Sequence, residues 1–248
     1  MMDKKDMIYG TRAVIEAIRA GREVEKIMVQ HGLANELVKE LFAIAKEHNI
    51  PILPTHPDKL KRLSTKNHQG VISVLSAIQY ANLDNIIHQT YSNGQDPFVL
   101  IIDRVTDVRN FGAIARTAEC AGIHAIVIGE KGNAPITSDA VKTSAGALNF
   151  VPVCRERDLK KTIRSLREQG LKIIACTEKT KTLLYETNCE GPIAIIMGSE
   201  EDGISDVLLK EADALAAIPM KGKIGSLNVS VAAGIALYEI VRQRENKK

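Results

Sequence analysis

The sequence lacks tryptophan and is poor in other aromatic residues, with four Phe and five Tyr among 248 residues. Proteins that hold single-stranded nucleic acid by stacking its bases need a surface of aromatic rings, so this class is disfavoured. An excess of one charge is also lacking, because 33 Lys and Arg residues face 30 Asp and Glu residues. The net charge of +3 argues against a polybasic binder whose affinity comes from massed Lys and Arg.

Cysteine pairs and long apolar runs are absent as well. The four cysteines, at positions 120, 154, 176 and 189, contain no C-x-x-C pair and are predicted to be reduced thiols in a reducing compartment. No uncharged apolar run reaches 18 residues, and no apolar signal core follows the first methionine. The expectation is a cytoplasmic protein with no membrane partner.

Several motifs that carry well-known chemistry are missing. No G-x-G-x-x-G follows a predicted strand, which argues against a dinucleotide fold and the usual glycine-rich methyltransferase loop. Gly198 and Gly203 are spaced like the start of a phosphate loop, but Ile204 and Ser205 stand where Lys and Ser/Thr are required. No cluster of His, Cys and carboxylates has metal-ligand spacing, and no G-x-S-x-G is present, so neither a metal site nor a serine hydrolase is predicted.

What is present predicts an α/β protein of two domains. Residues 1–77 alternate helix and strand as a small α/β domain, 78–96 form a polar, turn-rich linker, and 97–248 form the larger domain. The larger domain alternates apolar strands with helices, which predicts a doubly wound, mostly parallel sheet. Ligands of such sheets bind where the strands end, here after Asp103, Met197 and Ile218. Helices of this domain are predicted around Gly112–Ala121, Leu159–Gln169, Ile204–Glu211 and Leu227–Arg244.

The positive charge is concentrated in the small domain. Residues 1–77 hold 12 Lys and Arg against 9 Asp and Glu, whereas residues 96–248 hold 21 against 20. The densest basic stretch is 56–68, which includes Lys59, Lys61 and Arg62. Such a run is usually a solvated face, and the alternative is a contact with phosphates.

Three segments that follow predicted strands each allow two interpretations. Asn110 is either a helix cap or a ligand-binding residue, and Arg116 is either a surface residue or a phosphate-binding residue. Glu200 and its acidic neighbours either complement a helix dipole or orient a polar ligand beside Gly198. The loop after Ile218 either is a plain connection to a core helix or contributes to a site.

The order and spacing of these segments resemble the SpoU-type ribose 2′-O-methyltransferases of the SPOUT class. The similarity runs through Asn110-Phe-Gly-Ala-Ile-Ala-Arg-Thr-Ala118, Met197-Gly-Ser-Glu-Glu-Asp-Gly203, and Ile218-Pro-Met with Ser226-Leu-Asn-Val-Ser-Val-Ala-Ala-Gly234. In the small domain, 8–17 and 67–71 look like the ribosomal-protein-like substrate-binding domain of members that methylate a guanosine of large-subunit ribosomal RNA.

The resemblance implies a site, a cofactor and an assembly. It implies that S-adenosylmethionine binds in a deep C-terminal trefoil knot, that no metal is needed, and that two copies form a homodimer with sites at the interface. Matched position by position, the catalytic residues are Asn110, Arg116, Glu200, Ser226 and Asn228, and the cofactor-binding residues are Thr177, Gly198, Ile218, Met220 and Leu227. Arg116 is interpreted as an electrostatic stabiliser of the developing alkoxide, with a general-base role as the alternative.

RNA is the implied substrate. The candidate RNA-binding residues are Arg12, Lys59, Lys61, Arg62 and His68. The expected activity is 2′-O-methylation of a guanosine in 23S rRNA. The alternatives are 2′-O-methylation of tRNA, a non-catalytic RNA-binding or ribosome-assembly factor on the same fold, and a small-molecule α/β enzyme.

Overall fold

The computed structural model describes residues 6–245. The chain divides into two compact units: residues up to Gln79 together with Pro135–Asp139, and Tyr80–Ala134 together with the residues from Ala140 onward. The return of Pro135–Asp139 to the first unit was not predicted, because a five-residue stretch without a strong pattern carries no local sign of where it packs. No helix within 6–245 is long and apolar enough to cross a membrane.

The first unit is a four-stranded sheet in the order β1-β4-β2-β3, with β4 antiparallel to both of its neighbours and β2 parallel to β3. One face of the sheet packs against residues of two helices, among them Ile15 and Leu41, and the other face packs around Leu60. The elements are β1 Met7–Tyr9, α1 Thr11–Arg19, β2 Val24–Gln30, α2 Glu36–Glu47, β3 Ile52–Thr55, α3 Pro57–Leu63 and β4 Val71–Leu75.

The first helix begins after a glycine. Thr11 is a residue type that often caps a helix, but here it is buried as the first helical residue and Gly10 is the N-cap. Gly10 has φ 91°, a conformation that residues with a side chain rarely adopt. Its N–H donates to the Val71 carbonyl at 3.0 Å, so the two matched segments of the small domain lie side by side.

The second unit contains a six-stranded sheet in the order β10-β8-β9-β5-β6-β7, in which every neighbouring pair is parallel. The predicted parallel α/β sheet is thereby confirmed. Its elements are α4 Leu83–Ser92, β5 Phe98–Ile102, α5 Val108–Cys120, β6 Ala125–Gly129, α6 Ser138–Thr143, β7 Val153–Glu156, α7 Leu159–Glu168, β8 Lys172–Cys176, β9 Ile193–Met197, α8 Asp206–Leu209, β10 Ala214–Ala216 and α9 Val229–Glu245.

The central strands match their apolar patterns. Every residue of β5 and β9 is buried, as expected for parallel strands that are covered on both faces. Because all six strands point the same way, the loops after them gather at one edge of the sheet. This edge carries both sites described below.

The predicted linker contains a helix. Residues 78–96 were expected to be a turn-rich connection, but Leu83–Ser92 is α4, capped by the Asn82 side chain, which accepts from the Asn85 N–H at 2.9 Å. Leu83 and Ile87 belong to the core of the second unit. The amide-rich composition hid this helix because only Leu83, Ile86 and Ile87 of its ten residues pack in that core.

Several helices and strands of the second unit also differ from the predictions. The helix predicted from Gly112 begins at Val108, and its N-cap is Asp107 rather than Asn110. The helix predicted at 204–211 shortens to α8, and β7 and α6 were not predicted at all. These are short elements whose limits are set by caps and by neighbours distant in sequence.

Candidate active site

Three loops at the carboxyl edge of the sheet enclose a cavity of about 340 Å³. They follow β8, β9 and β10, and we call the space the cofactor cavity. All five predicted cofactor-binding residues line it: Thr177, Gly198, Ile218, Met220 and Leu227. Glu200 and Ser226 from the predicted catalytic set line it as well.

The loop after β9 folds back on itself immediately beyond the strand. Ser199 and Gly203 exchange both backbone hydrogen bonds, at 3.1 and 3.0 Å. A Cβ atom on Gly198 would lie 2.1 Å from the Gly203 carbonyl carbon and 2.2 Å from the Ile204 nitrogen. Only glycine fits at position 198, and one wall of the cavity is therefore bare backbone.

A pair of residues after β5 holds this turn in place. The buried carboxylate of Asp103 accepts from the Ser205 N–H at 2.8 Å. The Arg104 guanidinium donates to Asp202 at 3.1 Å and to the Gly203 carbonyl at 3.3 Å. Arg104 has φ 61°, a left-handed conformation that costs roughly 1–2 kcal/mol for a residue with a side chain and that these bonds offset.

Sequence reasoning did not assign Asp103 and Arg104 to the site. The available signal was their position directly after a fully buried strand, where polar residues of an open parallel sheet gather around ligands. Their contacts with Asp202 and Ser205, about one hundred residues further along the chain, are visible only in the fold.

A hydrogen-bonded chain of side chains joins the three segments at the rim of the cavity. The Asn110 amide donates to the Glu200 carboxylate, and the Asn228 amide donates to the Asn110 side-chain oxygen at 3.1 Å. The Asn228 side-chain oxygen accepts from the Ser230 N–H at 2.9 Å, which fixes its orientation. Each amide donates to the next side chain, from Asn228 to Asn110 and from Asn110 to Glu200. The Glu200 carboxylate, which only accepts hydrogen bonds, is the last acceptor of the chain.

Arg116 lies apart from this chain. It is exposed on α5, does not line the cavity, and forms no ion pair or side-chain hydrogen bond within residues 6–245. Six residues of helix turn its side chain about 120° away from that of Asn110 and move it about 9 Å along the axis. One copy of the chain therefore gathers the other four predicted catalytic residues and leaves Arg116 outside.

The cavity also contains a thiol. Burial is the main cause that raises the pKa of Cys176 to about 12. The thiol is therefore neutral near pH 7 and is a poor nucleophile. This argues against Cys176 as a covalent nucleophile.

The cavity suits a small molecule with an apolar part and a positive charge. Its volume lies in the range typical of small-ligand sites, and Ile218, Leu227 and Val229 supply apolar walls. The acidic run Glu200–Asp202 also lines the cavity and attracts positive charge. Within residues 6–245, no group of three His, Cys, Asp or Glu side chains is arranged to hold a metal ion.

The candidate RNA-binding residues lie in the first unit. Lys59, Lys61 and Arg62 are exposed on α3, which is anchored by the buried Leu60. Arg12 is exposed in the first turn of α1. These four side chains are free to meet phosphates.

The fifth candidate, His68, is half-buried. Its Nδ1 accepts from the Gly70 N–H at 3.0 Å, so only Nε2 remains for a ligand. Beside it in sequence, the Lys66 ammonium lies 4.9 Å from the centre of the Tyr9 ring. The loop 64–70 and the start of α1 therefore meet at one end of the sheet.

The fold and the cavity define an α/β protein with a small-molecule site at the carboxyl edge of a parallel sheet. Residues 97–238 match the model of the SpoU rRNA Methylase family, and residues 7–81 match the RNA 2′-O ribose methyltransferase substrate-binding domain. The chain belongs to the SpoU family, also called TrmH, and is an S-adenosylmethionine-dependent RNA 2′-O-ribose methyltransferase.

Similar proteins align with this chain over nearly its whole length. YacO of Bacillus subtilis (strain 168), whose name places it in the TrmH family of tRNA/rRNA methyltransferases, is 32% identical over 244 residues, 98% of each chain. A TrmH-family relative from Staphylococcus haemolyticus (strain JCSC1435) is 33% identical over 96% of each chain.

Two solved structures show the same fold. The AdoMet-bound rRNA methyltransferase of Sinorhizobium meliloti is 26% identical with a TM-score of 0.61, over 97% of this chain and 88% of that one. The TrmH/SpoU tRNA-modifying enzyme of A. aeolicus is 27% identical with a TM-score of 0.57, over 65% of this chain and 86% of that one.

Proposed function

We propose that the protein methylates the ribose 2′-OH of a guanosine in large-subunit (23S) rRNA and works as a homodimer. The observation that carries the catalytic part is the chain Asn228–Asn110–Glu200, which joins all three motif segments at the rim of the cofactor cavity. Such a fixed set of polar groups is what a site needs to align a ribose hydroxyl with a bound methyl donor. The loops after β8, β9 and β10 are proposed to form the trefoil knot.

The choice of ribosomal RNA is supported by the extent of the structural similarities. The neighbour described as an rRNA methyltransferase aligns over 97% of this chain, including the first unit. Two neighbours described by their action on tRNA align over only 65% and 62%. The relatives named for both tRNA and rRNA keep tRNA as the second candidate substrate.

The mechanism follows from what each side chain is able to do. S-adenosylmethionine, held by Thr177, Gly198, Ile218, Met220 and Leu227, supplies a methyl group activated on a sulfonium. Asn110 and Asn228, with Ser226 at the cavity wall, orient the ribose by hydrogen bonds, and Glu200 holds Asn110 in place. Arg116 stabilises the negative charge that develops on the 2′ oxygen as its proton passes to water, and binds the adjacent phosphate. The bond from the 2′ oxygen to the methyl carbon would form as the methyl–sulfur bond breaks, with S-adenosylhomocysteine as the leaving group.

A homodimer resolves the separation of Arg116 from the cavity, because a second copy brings its own Arg116 to the first copy's site. The surface of α9 suits such packing. Val231 and Tyr238 are 51% and 50% exposed and lie seven residues apart, so they share one face of the helix. An exposed apolar face of this kind marks an interaction surface.

The activity is tested by incubating the protein with radiolabelled S-adenosylmethionine and separate samples of 23S rRNA, 16S rRNA and tRNA. Label is expected in 23S rRNA alone, and blocked primer extension and nuclease mapping should place it on the 2′ oxygen of one guanosine. Label only in tRNA would replace the rRNA proposal with the tRNA one. Cofactor binding without labelling of any RNA would contradict the proposed function.

The RNA-binding role of the first unit is tested by charge removal. Replacing Lys59, Lys61 and Arg62 by alanine is expected to weaken RNA binding about tenfold and to reduce the slope of log K against log salt by about 2 to 3, because each lost phosphate contact removes roughly one released counterion. Filter binding at several salt concentrations measures both quantities.

The matched control removes the same charge from another exposed surface of the same unit. Arg22, Lys39 and Lys46 are exposed cations outside the basic stretch, and their triple alanine variant should bind RNA like the unmodified protein. Equal weakening in both triple variants would mean that net charge alone matters and would contradict a defined contact on α3.

A further inference from the structure

A second cleft lies on the same edge of the sheet, and the assigned activity does not use it. It encloses about 910 Å³ and is formed by the loops after β5, β6 and β7 together with the start of α8. We call it the β5–β7 cleft. It shares no lining residue with the cofactor cavity, which lies over β8, β9 and β10.

The cleft is lined by cations that the overall charge conceals. Its lining contains five Lys and Arg residues and four carboxylates, whereas the whole of 96–248 has 21 against 20. Lys131, Arg157 and Lys161 line the cleft, are exposed, and form no ion pair within residues 6–245. Their charge is available to a ligand.

The carboxylates of the cleft are mostly engaged. Asp103 accepts from the Ser205 N–H and from Arg104, and Asp158 caps α7 by accepting from the N–H groups of Lys160 and Lys161. Glu156 accepts from the Thr162 hydroxyl, and burial raises the pKa of its carboxyl. Glu130 remains as a carboxylate without a hydrogen bond from a described side chain. The available charge in the cleft is therefore positive.

The three cations are spread along the sheet edge. Lys131 follows β6 and Arg157 follows β7, and these neighbouring strands lie about 4.8 Å apart. Lys161 is four residues beyond Arg157, in the first turn of α7. A row of cations suits a chain of successive phosphates better than it suits one small anion, which needs donors that converge on a point.

The side chain of Arg104 connects the cleft with the cofactor cavity. Arg104 lines the cleft, and its guanidinium donates to Asp202 and to the Gly203 carbonyl, which both line the cavity. A strand that places one ribose at the cavity therefore has its neighbouring nucleotides close to the cleft.

We propose that the β5–β7 cleft binds the phosphate backbone of the RNA strand that flanks the methylated nucleotide, with Lys131, Arg157 and Lys161 as its contacts. This inference rests on the proposed function, since it assumes an RNA substrate. It assigns RNA binding to the second unit, in addition to the basic helix of the first.

The test compares two triple alanine variants of the full chain. One replaces Lys131, Arg157 and Lys161, and the control replaces Lys142, Lys181 and Lys210, which are exposed cations of the same unit outside both cavities. We expect the cleft variant to raise KM for RNA about tenfold, to leave kcat at saturating RNA and the Kd for S-adenosylmethionine unchanged, and to lower the salt slope of binding by about 2 to 3. The control should match the unmodified protein.

The outcomes separate the cleft from the proposed function. If the unmodified protein methylates RNA and the cleft variant keeps its KM, the cleft inference is wrong and the function stands. If no RNA is methylated, filter binding of the same RNA still decides, because equal affinity of the two variants overturns the cleft inference. Calorimetry with inorganic phosphate provides a third measurement. If the cleft variant loses phosphate binding but keeps the RNA affinity of the unmodified protein, the cleft binds phosphate and the proposed RNA contact is wrong.

Discussion

Replacing Arg116 by alanine is expected to lower the rate of methyl transfer by about 100- to 1,000-fold and to leave the Kd for S-adenosylmethionine unchanged. The size of the effect follows from the loss of a cation that stabilises charge only as the 2′ oxygen becomes negative. The unchanged affinity follows from the position of Arg116 on α5, outside the cofactor cavity. Single-turnover labelling of RNA and calorimetry with the cofactor measure the two quantities.

Arg109 supplies the matched control. It lies on the same helix, is exposed, and pairs with Asp107 at 3.0 Å, so Arg109→Ala removes an equal charge without touching the proposed site. Its transfer rate should stay near that of the unmodified protein. Parallel loss of transfer and cofactor binding in Arg116→Ala would contradict the assigned role.

The Arg116→Ala variant also tests which chain of the dimer supplies Arg116 to an active site. When Arg116→Ala chains are mixed and refolded with chains whose cavity is inactivated by Gly198→Ala, half of the dimers are mixed. If Arg116 acts across the interface, each mixed dimer has one intact site, and activity should return to about a quarter of the unmodified level. No recovery in a verified mixed dimer would place Arg116 and the cavity in the same chain.

Gly198→Ala is expected to abolish cofactor binding, with at least a 100-fold rise in Kd. The added Cβ would lie 2.1 Å from the Gly203 carbonyl carbon, so the turn that forms one wall of the cavity has to open. Overpacking of this kind costs about 1–3 kcal/mol, so the Tm should also fall by several degrees. Calorimetry with S-adenosylmethionine and thermal unfolding give both values.

Gly222→Ala is the corresponding control. Gly222 belongs to the loop after β10, and a Cβ at this position meets nothing within 4 Å. Its variant should bind the cofactor and unfold like the unmodified protein. A Gly198→Ala protein with unchanged affinity would show that the turn is not packed against Gly203 and Ile204 as described.

Much of the architecture was predictable because its signals are local. Apolar runs such as Phe98–Ile102 and Ile193–Met197 identify buried parallel strands wherever they occur, and their alternation with helices indicates the sheet. The helix α4 escaped notice because its polar face dominates its composition. Its burial depends on Val99 and other core residues that lie elsewhere in the chain.

The candidate site also has a part that the sequence predicted and a part that only the fold reveals. The sequence by itself, through its resemblance to the SpoU family, identified five cofactor-binding positions, and all five line the cavity. Only the tertiary structure decided that Asp103 and Arg104 hold the Gly198 turn, that Asn110 links Asn228 to Glu200, and that Arg116 lies outside. These contacts join residues roughly one hundred positions apart, and no local pattern records a pairing that exists only after the parallel strands bring their ends to one edge.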